Sequence, residues 1–378
     1  QTGNQSGIGD YAYLQRYNIG RIEWFKKGEE GDKTDYANAV PTISQANLRT
    51  SDLTWETTTQ TNIGLDLTVL NGRLTFNADY YYKKTKNMLM NVSLPAGAAA
   101  ATSIARNEGE MVNKGFEFSI SSKNFRGGAF TWDTDFNISF NRNKLTKLEL
   151  QKVYYDAKTA DVVNDYVVRN EPGRALGGFY GYISDGVDPE TGELMYRDLN
   201  HDGKISSSDR TYIGDPNPDI YGNFNLNFRW RDLELGALFT YSLGNDAYNA
   251  LRANLESGNS LSNQSIAMEN RWMADGQVTD IPRATYDDPM GNARFSDRWI
   301  EDASYLKFKR LMLSYRVPVR STSFLQGVSV WAAVNNLCTL TKYLGTDPEF
   351  SYNQSVLYQG VDAGLTPQSR SFQIGVKL

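Results

Sequence analysis

Residues 220–230 read IYGNFNLNFRW, and the way this stretch alternates decides the fold. Phe224, Leu226, Phe228 and Trp230 fall on one face of an extended chain, and Asn223, Asn225, Asn227 and Arg229 on the other. A period of two marks a β-strand with one apolar and one wet side. A helix of the same sequence would scatter both sets around its circumference. The apolar set is aromatic, which suits a pleated, half-buried surface.

The pattern recurs along the chain. From Phe130, FTWDTDFNISFN sets Phe130, Trp132, Phe136, Ile138 and Phe140 against Asp133, Asp135, Asn137 and Ser139. From Arg73, RLTFNADYYYKK sets Leu74, Phe76, Ala78, Tyr80 and Tyr82 against Thr75, Asn77, Asp79 and Tyr81. The last residues, SFQIGVKL, place Phe372, Ile374, Val376 and Leu378 together. By alternation and length, about nine strands cover roughly residues 55–70, 73–93, 112–124, 129–149, 219–231, 232–247, 304–318, 327–343 and 369–378. Several exceed the roughly 5–6 residues of an ordinary strand and the about 9–11 that a tilted membrane strand needs.

Connection lengths alternate. Short ones fall at Asn71-Gly72, at Arg126 to Gly128, at Arg231-Asp232 and over 319–326; long ones lie near 94–111, 150–218, 248–303 and 344–368. Asn-Gly is a strong hairpin turn, and short periplasmic turns alternating with long outer loops are the pattern of outer-membrane barrels. With the C-terminus on the periplasmic side, all four long connections lie outside. Residues 1–54 then form another extracellular loop, following a strand that lies before Gln1, and 55–378 hold the barrel strands. Within 248–275 the spacing of Leu, Met and Ala predicts one or two short helices. A soluble β-sandwich also alternates, but these apolar faces are heavily aromatic, and Asp, Asn, Arg and Lys stand at mid-strand opposite them. The expected fold class is all-β, an antiparallel transmembrane β-barrel with long extracellular loops.

Composition agrees. Hydrophobic residues are 40% and aromatics 12% of 378 residues, at a mean hydropathy of −0.52. A net charge of −5 gives nucleic acid no hold. Cys338 is the single cysteine and His201 the single histidine, so an intrachain disulfide, a His-based triad and a multi-His zinc site are all excluded within the chain. No apolar run reaches the about 18 residues of a transmembrane helix, a test blind to strands. Asp287-Asp288 and Glu301-Asp302 read as solvated loop carboxylates, with nothing tying them to acid–base chemistry. No enzyme is expected.

Residues 198–209, DLNHDGKISSSD, have the spacing of a calcium loop. Asp198, Asn200 and Asp202 supply side-chain oxygens at positions 1, 3 and 5, Gly203 makes the sharp turn, Lys204 offers its carbonyl, and Asp209 stands where a bidentate Glu is usual. Hard oxygen ligands favour Ca²⁺ over transition metals. The flanking DGVDPETGELMYRDL is hairpin-like, so a structural ion is expected rather than a helix–loop–helix sensor.

Several segments, read in order, resemble one family. They are TGNQSGIGDYAYL, DLTWETTTQTNIGLDL from Asp52, NADYYYKKTKNML from Asn77, NEGEMVNKGFEFSISSKN from Asn107 and GGFYGYISDGV from Gly177. DLNHDGKISSSDRTYIGDPNPDIYGNFN from Asp198, YSLGNDAYN and RFSDRWIEDASYLKFKRLMLSY continue the series. Together these resemble the SusC family of TonB-dependent outer-membrane transporters. The resemblance implies a barrel of about 22 strands with an N-terminal plug, of which this chain would be the C-terminal portion, the plug and early strands being absent. It implies a Gram-negative outer membrane, a SusD-like surface lipoprotein as lid, TonB engaged through the missing part, and an oligosaccharide or sometimes a peptide as cargo. Leu378 departs from the aromatic residue that commonly ends such barrels. A metal-chelate or vitamin receptor barrel, and a structural or secretion barrel, are the alternatives. Leu251, Leu255, Trp272, Met273, Met290, Phe295, Trp299, Phe350, Tyr352 and Tyr358 in the long loops are expected to meet the lid or each other.

Overall fold

The computed structural model describes residues 2–4, 14–23, 39–94, 97, 103–148, 154–156, 166–318, 327–350 and 358–377. In chain order come β1 (Thr2–Asn4), β2 (Arg16–Glu23), β3 (Ala39–Asn47), β4 (Glu56–Val69), β5 (Leu74–Ser93), β6 (Ser103–Gly127) and β7 (Phe130–Leu148). Short strands follow: β8 (Tyr154–Asp156), β9 (Val168–Asn170), β10 (Phe179–Gly181), β11 (Ser184–Val187), β12 (Leu194–Tyr196) and β13 (Thr211–Gly214). Then come β14 (Ile220–Trp230), β15 (Leu233–Leu243), β16 (Asp246–Asn249), helix α1 (Ala250–Glu256) and β17 (Ile300–Asp302). Last are β18 (Tyr305–Val317), β19 (Val328–Thr341), β20 (Val361–Asp362) and β21 (Ser371–Lys377).

One ten-stranded sheet takes the order β1-β4-β5-β6-β7-β14-β15-β18-β19-β21. The nine long segments expected from alternation are neighbours in chain order, with short β1 added beside β4. β7, β14, β15, β18, β19 and β21 are antiparallel throughout. That alternation puts the connections 149–219, 244–304 and 342–370 at the same ends of their strands. The sheet is all-β wall, and its apolar side is bare. Phe372, Ile374 and Val376 of β21 are 74%, 81% and 61% exposed, and Ile63, Leu65 and Leu67 of β4 are exposed as well. Rings run across this side, Phe224 to Phe239 at 4.5 Å and Phe239 to Phe308 at 4.3 Å between centroids. Among the described residues no helix is long and apolar enough to cross a membrane.

The chain divides into two compact units: Gln1–Gln60 with Lys83–Val112 and Leu145–Lys152, and Thr61–Tyr82 with Asn113–Lys144 and Val153–Leu378. The first unit departs from expectation at two places. β6 starts at Ser103, inside the predicted 94–111 loop. Alternation is weak there, but Lys84 pairs with Glu110 at 2.8 Å and Thr146 Oγ1 donates to the Glu110 carbonyl at 3.0 Å, so neighbouring strands supply the ladder. Residues 1–54 are not loop alone either: β2 and β3 form an antiparallel hairpin, and Asn107 Nδ2 donates to the Thr54 carbonyl at 2.8 Å. Propensity is a weak prior where pairing partners are offered from far along the chain.

In the second unit the three long connections fold on each other. Val167, Val168, Phe179, Tyr248, Ala250, Phe295, Trp299 and Val361 make one buried cluster, with Tyr358 packed against it. Each connection contributes, and burying side chains of this size is worth roughly 1.5–3 kcal/mol apiece. α1 and a 3₁₀ turn at Ile266–Asn270 supply the short helices expected in 248–275. Asn249 caps α1, its side chain accepting from the Arg252 amide at 2.9 Å.

Two backbone details shape the wall. The β15–β18 register slips between Leu238 and Phe239, which pair with Arg310 and Phe308, so Lys309 is an extra residue in a β-bulge. A side chain at Gly222 would strike the Asn137 carbonyl and stand 2.7 Å from Tyr241 Oη. The bare glycine lets that hydroxyl donate to the carbonyl at 2.8 Å.

Candidate functional site

Strand parity sets the polar side of the wall. Asn137, Asn223, Thr240 and Lys307 are cross-strand partners on β7, β14, β15 and β18, and Ser139, Tyr221, Ser242 and Tyr305 form the next row. Asn137 Nδ2 donates to Asn223 Oδ1 at 2.9 Å, while Asn137 Oδ1 accepts from the Asn223 amide at 3.1 Å. Tyr81 Oη donates to Asn141 Oδ1 at 2.8 Å. Apart from Lys307, these rows line a pocket of ≈ 600 Å³, whose rim comes from Asn217, Pro218, Glu349 and Gln359 of the long connections. Thr240 is among the lining residues, and its Oγ1 is buried with no hydrogen-bond partner among the described residues.

A charge network anchors that rim. Lys307, 2% exposed, lies 3.0 Å from Asp347 and 2.9 Å from Glu349. Lys309 lies 2.8 Å from Glu349 and donates to Gln368 Oε1 at 2.9 Å. Burial pushes the Glu349 carboxyl up, but the Lys309 and Lys307 ammonium groups more than offset this and hold it below the ordinary range. Asp347 also accepts from the Glu349 and Gln368 amides, at 3.0 and 3.2 Å, so it pins two parts of the 344–368 connection. Sequence reasoning missed this network. Two lysines at alternate positions of a strand's polar side demand anions, but nothing local names partners some forty residues on.

The 198–209 segment is a run of side-chain-closed turns. Asp198 Oδ1 and Oδ2 accept from the amides of His201 at 2.7 Å and Gly203 at 2.8 Å. Asn200 Oδ1 accepts from the Asp202 amide at 3.0 Å, and Asp202 Oδ1 from the Lys204 amide at 2.8 Å. His201 and Gly203 take positive φ, 59° and 78°. Asp209 is buried, and its Oδ1 accepts from the Leu199 and Asn200 amides while Oδ2 accepts from the amide and hydroxyl of Ser206. It closes a capping box with Ser206. Those bonds, the Ser206 amide first, hold its carboxyl below the usual range. Among the described residues no three His, Cys, Asp or Glu side chains are grouped as a metal cluster.

Other loop groups are also occupied in packing. Glu301 is not a solvated carboxylate: its oxygens accept from Arg252 Nη1 at 2.9 Å and from the Leu344 amide at 2.8 Å. Asp288 accepts from the Asn292 and Ala293 amides at 2.7 and 3.0 Å. Desolvation forces such carboxylates to find donors. Tyr180 packs edge-on to Tyr212, and Trp272 Nε1 donates to the Pro189 carbonyl at 2.9 Å. Of the loop apolar residues singled out above, Phe295 and Trp299 are buried, Met273 and Met290 are exposed, and Tyr352 lies outside the described residues.

A family profile described as TonB dependent receptor-like, beta-barrel matches residues 15–221. TonB-dependent receptor P3 of Formosa agariphila is 33% identical over 91% of this chain and 35% of its own length. TonB-dependent receptor SusC of Bacteroides thetaiotaomicron is 30% identical over 100% of this chain and 36% of its own. Among solved structures, the RagAB peptide transporter is similar with a TM-score of 0.80 and 26% identity, covering 99% of this chain and 39% of the solved one. The chain spans about a third of the length of the curated relatives it matches.

Proposed function

Because this chain belongs to the TonB-dependent receptor β-barrel family, outer-membrane proteins that are not enzymes, we propose that it supplies wall and external loops to a transporter importing a large nutrient. The cargo is an oligosaccharide, taken in beneath a SusD-like lipoprotein lid and released by TonB acting through the rest of the longer protein. One observation carries this reading: a wall bare on its apolar side bears, at one set of strand ends, loops that share a hydrophobic core. The bare side suits lipid. The two edges of the sheet, short β1 with the uncovered length of β4 on one side and β21 on the other, need further strands of the longer protein, since an unpaired edge in lipid costs several kcal/mol per backbone group.

The lid reading rests on what the loop core leaves uncovered. Leu261 and Val278 are each 91% exposed and Ile266 81%. Substituting these three with Ser leaves the buried cluster intact and is expected to reduce recovery of the lipoprotein with the affinity-tagged full-length transporter. Unchanged recovery would remove the loops from the lid contact. A second reading, peptide cargo, is favoured by the likeness to the RagAB peptide transporter.

The 198–209 loop is proposed as a calcium site on its donor set. Asp198, Asn200 and Asp202 each keep unspent oxygen lone pairs beside their turn bonds, and Lys204 adds a carbonyl. Asp209 fits less well, since its two oxygens already accept four bonds. A bound Ca²⁺ would supply charge neutralisation and cross-linking only. Calcium titration of the full-length transporter is expected to show one site that Asp198→Ala with Asp202→Ala abolishes, leaving the wall folded. No heat of binding in the unaltered protein would exclude the site.

A further inference from the structure

We infer that the pocket on the polar wall is a binding subsite for a neutral saccharide, one that disfavours uronate, sulfate and peptide. The inference rests on the import reading and narrows its cargo.

Charge comes first. Of the groups lining the pocket, only Glu349 is ionisable in the physiological range. Its charge is already met by Lys307 at 2.9 Å and Lys309 at 2.8 Å, and Asp347 balances the second lysine. Two ammonium groups face two carboxylates, so the pocket presents polarity without net charge. An anionic ligand would meet a committed Glu349 carboxylate and find no free cation among the described lining residues.

Hydrogen bonding comes second. The lining offers short amides and hydroxyls, Asn141, Asn223, Thr240, Tyr221 and Tyr305 among them, each able to donate and to accept. Sugar hydroxyls also do both. Thr240 Oγ1 is buried without a partner among the described residues, a cost that rotation of its side chain toward a ligand hydroxyl would relieve. The amide and hydroxyl spacing follows the strand ladder, so these groups are held by the rigid wall and not by loops.

Against a peptide stand two facts. β7, β14, β15 and β18 are each paired on both sides, leaving no strand edge for a peptide to extend. The lining also holds no Leu, Ile, Val, Met or Phe to receive apolar side chains. Tyr221 and Tyr305 provide aromatic faces on which a pyranose ring can lie.

The test is calorimetry on the detergent-purified full-length transporter with xylohexaose, cellohexaose, laminarihexaose, mannohexaose and maltoheptaose as neutral probes. Hexagalacturonate and a Gly-Ser hexapeptide serve as the competitors. At least one neutral probe is expected to bind. Thr240→Val and Asn223→Ala should each weaken it up to about tenfold, while Thr240→Ser retains affinity and all three variants keep the parent's melting temperature. Binding of hexagalacturonate or the peptide alone, binding of no neutral probe, or neutral binding that the variants leave unchanged would each overturn the subsite. A lowered melting temperature with unaltered affinity would assign these residues to packing and overturn it too. Uptake of labelled probes by cells with and without the transporter separates the two claims. Transporter-dependent uptake of the acidic probe keeps the import reading and rejects this one, whereas loss of all dependence rejects import itself.

Discussion

Lys307 carries its charge at 2% exposure between Asp347 and Glu349. Burying an ion pair gains little net energy, but removing one partner strands the others. Lys307→Met should therefore release residues 344–350 at a cost of about 3–5 kcal/mol, read as faster hydrogen exchange in that segment, whereas a role for loop packing alone predicts no change. The same network sets a pH window. Glu349 titrates below its ordinary value, so its stabilisation is complete above the unfolded pKa of roughly 4.3 and is lost as pH falls through the lowered one. Exchange at 344–350, corrected for intrinsic rate, should stay flat from neutral pH to about 5 and rise below about 4. Loosening near pH 6 would point to another group. At this scale the sequence showed residues but not partners. Asp209 illustrates the difficulty: SSSD at 206–209 reads only as the end of a calcium loop, and the structure shows that Asp209 also closes a capping box with Ser206.

Strands were the most legible elements, because a period of two leaves each apolar residue only one side to occupy. Expected and observed strands agree closely for 220–230 and 305–317, where alternation is unbroken. They part at β6, whose first residues alternate poorly and gain their ladder from β5 and β7, and at the β2–β3 hairpin, which lies where only loop was expected. The bulge at Lys309 was equally hidden, since an extra residue leaves no mark in composition. The side assignment carries its own prediction. Leu226→Arg should destabilise the full-length barrel by about 2–4 kcal/mol at mid-membrane depth, while Asn225→Arg on the opposite side is tolerated. Urea titration of both variants in bilayers decides it, and equal losses would refute the assignment.

For the molecule as a whole, strand alternation and connection length together pointed to an outer-membrane wall with elaborate outer loops. The loops' shared core was legible only in part: Phe295, Trp299 and Tyr358 were expected to meet the lid or each other, but Val167, Phe179 and Val361 come from separate connections and join them only in space. The central claim is that β14 stands between lipid and an aqueous interior. Its most direct test replaces Cys338 with Ser in the full-length transporter and introduces single labelled cysteines along β14, in bilayers holding a lipid-soluble quencher. Labels at Phe224→Cys, Leu226→Cys and Phe228→Cys should be quenched, and those at Asn223→Cys, Asn225→Cys and Asn227→Cys should not. Quenching that fails to alternate, or that alternates in the opposite sense, would contradict the wall.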